Sequence, residues 1–167
     1  MSSQFGISGG GRSSEDLFRQ LTGAERPAKA SLGDAVVDGH PVEIKSATKP
    51  TLNQVRAVKF IPLIVHDVPR DEWYVVPAHE VVKLVASKGR GQHTENPFES
   101  ATLNLGSLSG FKVEKARLRA AVVLALEAGN QHPKVRELME EVLRESQKLS
   151  ADSRRKVAEL LDLLSRQ

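Results

Sequence analysis

The sequence predicts an α/β fold in which a central mixed β-sheet is flanked by helices. Three observations support this class. Two short runs of alternating apolar residues surround an Asp38-Gly39 pair, a pattern typical of a β-hairpin. Apolar runs at residues 60–65 and 73–76, the second rich in aromatic and β-branched residues, indicate two more strands. Apolar residues at helical spacing precede the hairpin and follow the last strand.

The first helix is predicted to start at a cap formed by Ser13 or Ser14 and to continue through Thr22. Its apolar stripe consists of Leu17, Phe18 and Leu21. Glu15 falls in the predicted first turn, where the helix dipole favours a carboxylate. Residues 1–11 precede this helix and are interpreted as a flexible lead because they are polar and rich in glycine and serine.

The hairpin, with strands predicted over residues 34–37 and 42–48, is the centre of the functional interpretation. Because side chains alternate along a strand, Glu43 and Lys45 are expected on the same face. Pairing across the turn is expected to bring Asp34 close to both. Two carboxylates in one place repel each other, and a hard divalent cation with oxygen ligands relieves that repulsion. The pattern therefore predicts a metal site.

Asp34, followed after a short hairpin by Glu43, Ile44 and Lys45, resembles the core motif of the PD-(D/E)xK nucleases. That superfamily includes many type II restriction endonucleases and several Holliday-junction resolvases. Gly33 stands where the proline of the motif's name would be, so the match is partial.

The resemblance extends from about residue 12 to about residue 86 and does not include the C-terminal third. It implies a restriction-endonuclease-like core, which we place at residues 12–110, with a central mixed sheet flanked by helices. Residues 111–167 are then a C-terminal helical extension, used for packing or dimerisation.

The resemblance also implies the chemistry of the site. Asp34 and Glu43 are expected to hold Mg²⁺, with Mn²⁺ as a substitute and the backbone carbonyl of Ile44 as a further ligand. Lys45 is expected to orient the attacking water and to neutralise charge that develops on the phosphate. The helix before the hairpin often supplies another acidic residue in this superfamily, and Glu15 is the best-placed candidate.

Seven further side chains are predicted to contact DNA: Ser46, Thr48, Lys49, Gln54, Arg56, Lys59 and Arg90. Pro50 interrupts the strand, and a short helix is predicted over residues 54–59. Arg90 lies in a long polar segment, residues 87–110, predicted as a loop. A solvated helix face and a flexible surface loop are the alternative interpretations of these two segments.

The remaining elements follow the same reasoning. Pro62 places the start of the third strand just after it, and residues 66–72 are predicted as a polar turn. A helix is predicted over residues 77–86. In the extension, helices are predicted over residues 113–128 with a cap at 129–130, then from Pro133, then from Ser150.

Composition restricts the class of protein. The chain has 167 residues, of which 40% are hydrophobic, and this is enough for one core. It contains no cysteine, which excludes disulfides and thiolate metal sites. No secretory signal or membrane-spanning run is present, so a cytoplasmic protein that does not associate with membranes is expected. A net charge of +3 permits nucleic-acid binding without requiring it.

The leading hypothesis is a Mg²⁺-dependent endodeoxyribonuclease that acts as a homodimer, so that two sites cut both strands. A restriction-type enzyme and a structure-specific enzyme such as a Holliday-junction resolvase are both compatible with the sequence. The alternatives are a non-catalytic DNA-binding or assembly protein, and a small interaction protein whose helical C-terminal part mediates assembly. In these cases Asp34, Glu43 and Lys45 lie on an exposed strand with an ordinary cross-strand ion pair.

Overall fold

The computed structural model describes residues 10–146, 155–156, 159–160, 162–164 and 166, and within them helices flank a mixed five-stranded sheet. The helices are α1 (Gly10–Thr22), α2 (Ala78–Ala86), α3 (Leu118–Asn130) and α4 (Pro133–Ser146). The strands are β1 (Ala35–Val37), β2 (His40–Ala47), β3 (Thr51–Val55), β4 (Leu63–Asp67), β5 (Glu72–Val76), β6 (Ala101–Asn104) and β7 (Lys112–Val113). Short 3₁₀ turns occupy Ala30–Leu32, Ala57–Lys59, Leu105–Phe111 and Lys115–Arg117. The predicted α/β class is confirmed at this level.

The sheet has the strand order β1-β2-β4-β5-β7. Within the described residues of this sheet, only the β2–β4 pair is parallel. The β1–β2, β4–β5 and β5–β7 pairs are antiparallel. A parallel pair needs a crossover connection, and here the connection contains β3 and the Ala57–Lys59 turn. β3 pairs antiparallel with β6 in a separate two-stranded sheet, which we call the β3–β6 ribbon.

The predicted hairpin is confirmed. Asp38 and Gly39 have φ values of 49° and 80°, both in the left-handed region, and they join Val37 to His40 in a two-residue turn. Such turns match the right-handed twist of the flanking strands, which is why an Asp-Gly pair predicts them well.

The sheet has a separate apolar core on each face. Val42, Ile44 and Trp73 belong to one core, together with Phe18 of α1 and Val122 of α3. The other core contains Ala47, Leu63 and Val65 with residues of α2, α4 and the β3–β6 ribbon. Because β2 alternates, Glu43 and Lys45 point toward the side of the sheet that carries the ribbon, opposite to α1 and α3.

The prediction of a helix over residues 54–59 is wrong, because this segment contains the end of β3 and the Ala57–Lys59 turn. Leu52 and Val55 are both buried although they are three residues apart, a spacing that suggests a helix. Gln54 adopts φ 56°, and the pairing register with β6 shifts between Leu52 and Val55. This β-bulge adds one residue, so that both apolar side chains reach the same core from a strand.

Two predicted irregular segments are partly strand. The turn predicted over residues 66–72 begins later, because His66 and Asp67 continue β4 and are both buried. The loop predicted over residues 87–110 contains β6 and most of the Leu105–Phe111 turn. Phe98 is fully buried and anchors the remainder of that loop to the core. In each case a distant partner strand supplies pairing that the local sequence does not indicate.

Helix boundaries also differ from the predictions. α1 begins at Gly10, so Ser14 lies inside the helix and Glu15 is outside its first turn. Val113 belongs to β7, and α3 starts only at Leu118. Gly129 is inside α3 rather than in a cap, and it is buried where a Cβ would lie 3.6 Å from the Cβ of Ala78. Small residues allow this close approach of α3 to α2.

The C-terminal segment contributes to the cores. Leu118 and Val122 of α3 pack with Phe18, and Met139 and Val142 of α4 join the opposite core. The helix predicted from Pro133 is confirmed as α4. Of the lead predicted over residues 1–11, residues 1–9 lie outside the described residues, and residues 10–11 belong to α1 instead. Most of the helix predicted from Ser150 also lies outside the described residues. The described part of that helix is helical at 155–156, 159–160 and 162–164.

Candidate functional site

Asp34 meets β2 directly before the start of β1. Its backbone N–H donates to the carbonyl of Val42 (2.9 Å), and its Oδ2 accepts from the N–H of Ile44 (2.8 Å). The β1–β2 ladder ends with the Ala35–Val42 pair, so the Asp34 carboxylate takes the next place along the edge of β2. The carbonyl of Ile44 leaves its strand on the same side as its N–H, and therefore faces the same edge.

Gly33 makes this approach possible. Its φ is +146°, and a Cβ there would lie 2.9 Å from the Val42 carbonyl oxygen and 3.2 Å from Cβ of Pro41. Proline, whose φ is fixed near −65°, cannot adopt this conformation. The glycine at the position of the motif's proline is therefore a requirement of how this chain brings Asp34 to β2.

Glu43 lies between two lysines. Nζ of Lys59 is 3.2 Å from Glu43 Oε2, and Nζ of Lys45 is 4.0 Å from Glu43 Oε1. Only the first is within hydrogen-bonding distance. The Glu43 side chain retains 17% exposure, which leaves it reachable from solvent. Lys59 is the last residue of the Ala57–Lys59 turn, which belongs to the connection between β2 and β4. This connection therefore places the Lys59 ammonium beside the Glu43 carboxylate of β2.

Glu15 of α1 is electrostatically coupled to this group. Burial raises the pKa of the Glu15 carboxyl, the negative charges of Asp34, Asp16 and Glu43 raise it further, and Arg19 lowers it. The site therefore places the carboxylates of Glu15, Asp34 and Glu43 in one electrostatic environment with the ammonium groups of Lys45 and Lys59. Its net charge is negative, and it includes the four residues that the sequence predicted as catalytic.

The oxygen donors fit a hard cation. Asp34, Glu43 and the Ile44 carbonyl offer oxygen atoms only, and an ionised carboxylate has about four acceptor positions, so one lysine does not exhaust those of Glu43. Among the described residues, no three His, Asp or Glu side chains are gathered closely enough to form a metal-binding group. Mg²⁺ keeps several of its waters and commonly uses one or two carboxylates, which suits a donor set of this size.

Sequence reasoning missed a chain of hydrogen bonds behind the site. Ser46 Oγ donates to Ser14 Oγ (2.6 Å), and Ser14 Oγ lies 2.8 Å from Nδ1 of His66. Nε2 of His66 lies 3.0 Å from Asp71 Oδ1, and Lys115 contacts the other oxygen of Asp71. We call Ser46, Ser14, His66 and Asp71 the serine–histidine chain. Because a carboxylate only accepts, Nε2 carries the proton in the neutral ring and Nδ1 accepts from Ser14.

The serine–histidine chain is not a nucleophilic triad. Ser14 is 1% exposed, and His66 is stacked on Trp73 with ring centroids 4.2 Å apart, so no substrate reaches the Ser14 hydroxyl. The hydrogen bonds of the serine–histidine chain instead join α1 to β2 and β4. Ser14 directly precedes Glu15, and Ser46 directly follows Lys45. This adjacency to two predicted site residues is the signal in the sequence that could have suggested a supporting role for the serines.

The residues predicted to contact DNA are dispersed. Ser46 is on the α1 face of β2 within the serine–histidine chain, and Lys59 is in the site itself. Thr48 and Lys49 are exposed just beyond the end of β2.

The other three predicted DNA contacts lie on or beside the β3–β6 ribbon. Gln54 is exposed, and its N–H donates to Oε1 of Gln92 (2.7 Å). Arg56 is exposed and donates from Nε to the Glu99 carbonyl (3.3 Å), while Arg90 is exposed in the segment before β6.

Comparison of the chain with protein-family models, curated proteins and solved structures gave no match. The resemblance to the PD-(D/E)xK nucleases therefore remains a prediction from the residues quoted above. In the part of the chain that the structure describes, no helix has both the length and the apolar character needed to cross a membrane.

Proposed function

We propose that this protein is a Mg²⁺-dependent endodeoxyribonuclease with a restriction-endonuclease-like core of the PD-(D/E)xK type. One observation carries the proposal. Lys45 and Lys59 lie at the two oxygens of Glu43, and Asp34 and Glu15 share the same electrostatic environment. An ordinary surface ion pair has no need of three half-buried carboxylates drawn from α1, β2 and the segment before β1.

Asp34, Glu43 and the Ile44 carbonyl are the groups that would hold the cation, and Glu15 would accept hydrogen bonds from water beside it. When bound, Mg²⁺ lowers the pKa of its water and polarises a phosphate oxygen. Lys45 stabilises the negative charge that develops on the phosphate in the transition state, because its ammonium is preorganised and half-buried.

Lys59 has a different role. Its hydrogen bond holds the Glu43 carboxylate in one orientation, and that orientation determines where the oxygen donors point. The described residues provide one such site, so cutting both strands of a duplex requires two copies of the protein. We therefore propose that the active form is a homodimer.

The proposal is tested by incubating the full chain with supercoiled plasmid and with a four-way junction, in Mg²⁺ and in EDTA. Cleavage in Mg²⁺ that is absent in EDTA is expected. Preference for plasmid indicates a restriction-type enzyme, and preference for the junction indicates a structure-specific enzyme. If neither DNA is cut in Mg²⁺ or Mn²⁺, the proposed function is wrong, and a non-catalytic DNA-binding or assembly role becomes the better interpretation.

A further inference from the structure

The β3–β6 ribbon presents an unusual outer surface. Its inward side chains Leu52 and Val55 of β3, and Ala101 and Leu103 of β6, are buried in the core. Its outward side chains are uncharged but rich in hydrogen-bonding groups: Thr51, Asn53, Gln54, Thr102 and Asn104. Charged side chains are one common means of keeping exposed strands from pairing with other chains, and the outward face of this ribbon carries none.

The ribbon is connected along the chain to the strand that carries Glu43 and Lys45. β3 begins at Thr51, six residues after Lys45, which is a span of at most about 20 Å. After β3 the chain returns to Glu43 through Lys59. The start of the ribbon therefore lies within about 20 Å of Lys45.

We propose that the β3–β6 ribbon enters the major groove of duplex DNA, where Asn53 and Gln54 read base edges. The inference rests on the proposed function, because the duplex that is read is the one that the nuclease cuts. Asn104 contributes less, since its Oδ1 accepts the N–H of Gly106 and caps the following turn. Oδ1 of Asn53 has only a long contact, 3.4 Å, with the hydroxyl of Thr102.

Charge complementarity favours DNA as the occupant. Lys49 and Arg56, at the two ends of β3, are exposed, and so is Arg90 beside it. Residues 48–59 contain no acidic residue. A neutral reading surface bordered by cations matches a groove whose floor carries base donors and acceptors and whose rims carry phosphates.

The shape of the element favours duplex DNA over RNA. The major groove of B-DNA is about 12 Å wide and admits a two-stranded ribbon, whereas that of A-form RNA is too deep and narrow. Asparagine and glutamine amides pair bidentately with N6 and N7 of adenine. We therefore expect the preferred site to contain adenine at the positions that Asn53 and Gln54 reach.

The experiment selects binding sites for the full chain from a library of DNA duplexes with a randomised centre, in EDTA so that no metal-dependent cleavage occurs. Affinities for an enriched duplex, a scrambled duplex, single-stranded DNA and duplex RNA are then measured. Asn53→Ala is expected to weaken binding to the enriched duplex by about tenfold and to leave the scrambled duplex unaffected. Lys49→Ala is expected to weaken both duplexes equally and to reduce the salt dependence by about one ion.

The matched control is Gln20→Ala, which removes an exposed amide from α1 on the other face of the sheet and should change neither affinity. No enriched sequence, an enriched sequence on which Asn53→Ala binds normally, or tighter binding of RNA or single strands would each overturn the ribbon inference. Enrichment without cleavage in Mg²⁺ refutes the nuclease and leaves the ribbon intact. Cleavage in Mg²⁺ without an enriched sequence refutes the ribbon inference and leaves the nuclease proposal intact.

Discussion

Glu15 is a residue that is unfavourable for folding and that suits the proposed metal site. Its carboxyl is partly buried and lies in the field of Asp34 and Glu43, and both effects raise its pKa. The folded chain therefore holds this proton more tightly than the unfolded chain. By linkage, the stabilisation from the protonated carboxyl is lost as pH rises through the raised pKa, so that ionised Glu15 destabilises the metal-free fold at neutral pH.

Glu15→Gln is accordingly expected to raise the free energy of unfolding of the metal-free protein at pH 7 and to weaken Mg²⁺ binding. Urea unfolding in EDTA measures the first effect, and calorimetric titration with Mg²⁺ measures the second. The control is Glu137→Gln, because Glu137 is 57% exposed and paired with Lys134 on α4, away from the carboxylate group. A Glu15→Gln protein that is less stable than wild type in EDTA would show that the three carboxylates do not repel one another.

Gly33, which stands where the nuclease motif has proline, is also explained by the conformation of a single residue. The resemblance to the nuclease motif rests on Asp34, Glu43 and Lys45 and does not involve the preceding residue. The left-handed φ of Gly33 and its contact with the Val42 carbonyl depend on the third dimension, so the sequence did not predict that glycine is needed there.

At the scale of elements, the serine–histidine chain determines how α1 is seated on the sheet. Ser14 accepts from Ser46 of β2 and donates to His66 of β4, and Glu15 follows it directly. Ser14→Ala removes the donor to a buried ring nitrogen, which costs about 1–3 kcal/mol of unfolding free energy.

Ser87→Ala is the matched control, because that exposed hydroxyl donates to the Leu84 carbonyl at the end of α2 and its loss is expected to cost less than about 0.5 kcal/mol. Urea denaturation of both variants measures the difference. Equal stabilities for Ser14→Ala and Ser87→Ala would contradict a structural role for the serine–histidine chain.

A second contact between elements depends on pH. His79 of α2 stacks on His132, between α3 and α4, with ring centroids 4.0 Å apart. Burial and the neighbouring His132 lower the pKa of His79 below 6.5, Lys83 lowers it further, and Glu80 opposes them. The unfolded chain therefore binds this proton more readily, so that stability is greatest above pH 6.5 and falls as pH decreases below it.

His79→Gln is expected to flatten the loss of stability between pH 7.5 and pH 5.5, chosen to bracket the unshifted histidine pKa of about 6.5. Urea midpoints across this range measure the effect, with His40→Gln as the control because His40 is exposed in the hairpin. An unchanged pH dependence in His79→Gln would show that the stacked pair does not resist protonation.

The elements also show what the sequence could predict. The hairpin, β4, β5, α2 and α4 were predicted because strand alternation, an Asp-Gly turn and a helix-starting Pro133 are local signals. The helix was predicted over residues 54–59 because Thr51 or Asn53 could cap it and Arg56 and Lys59 are about one helical turn apart. The bulged pairing that extends β3 to Val55 depends on β6, which is distant in the sequence. β6 and β7 were missed because their pairing partners are far away along the chain.

For the whole molecule, the candidate site is assembled from segments that are distant in the sequence. The proximity of Asp34, Glu43 and Lys45 could be predicted, because one hairpin holds them. The place of Lys59 could not, because it depends on the path of the β2–β4 connection. The same connection forms the root of the β3–β6 ribbon, so that one excursion of the chain supplies both a cation for Glu43 and the proposed reading surface.

The central claim is that Lys45 and the carboxylates beside it form a metal-dependent catalytic site. The most direct measurement is the rate at which supercoiled plasmid is cut in Mg²⁺ by wild type, by Lys45→Ala and by Lys134→Ala. The last variant removes an exposed lysine paired with Glu137 and serves as the matched control. The account predicts Mg²⁺-dependent cutting by wild type and Lys134→Ala, and a loss of at least about 100-fold in Lys45→Ala with folding unchanged. Equal rates for all three proteins would contradict it.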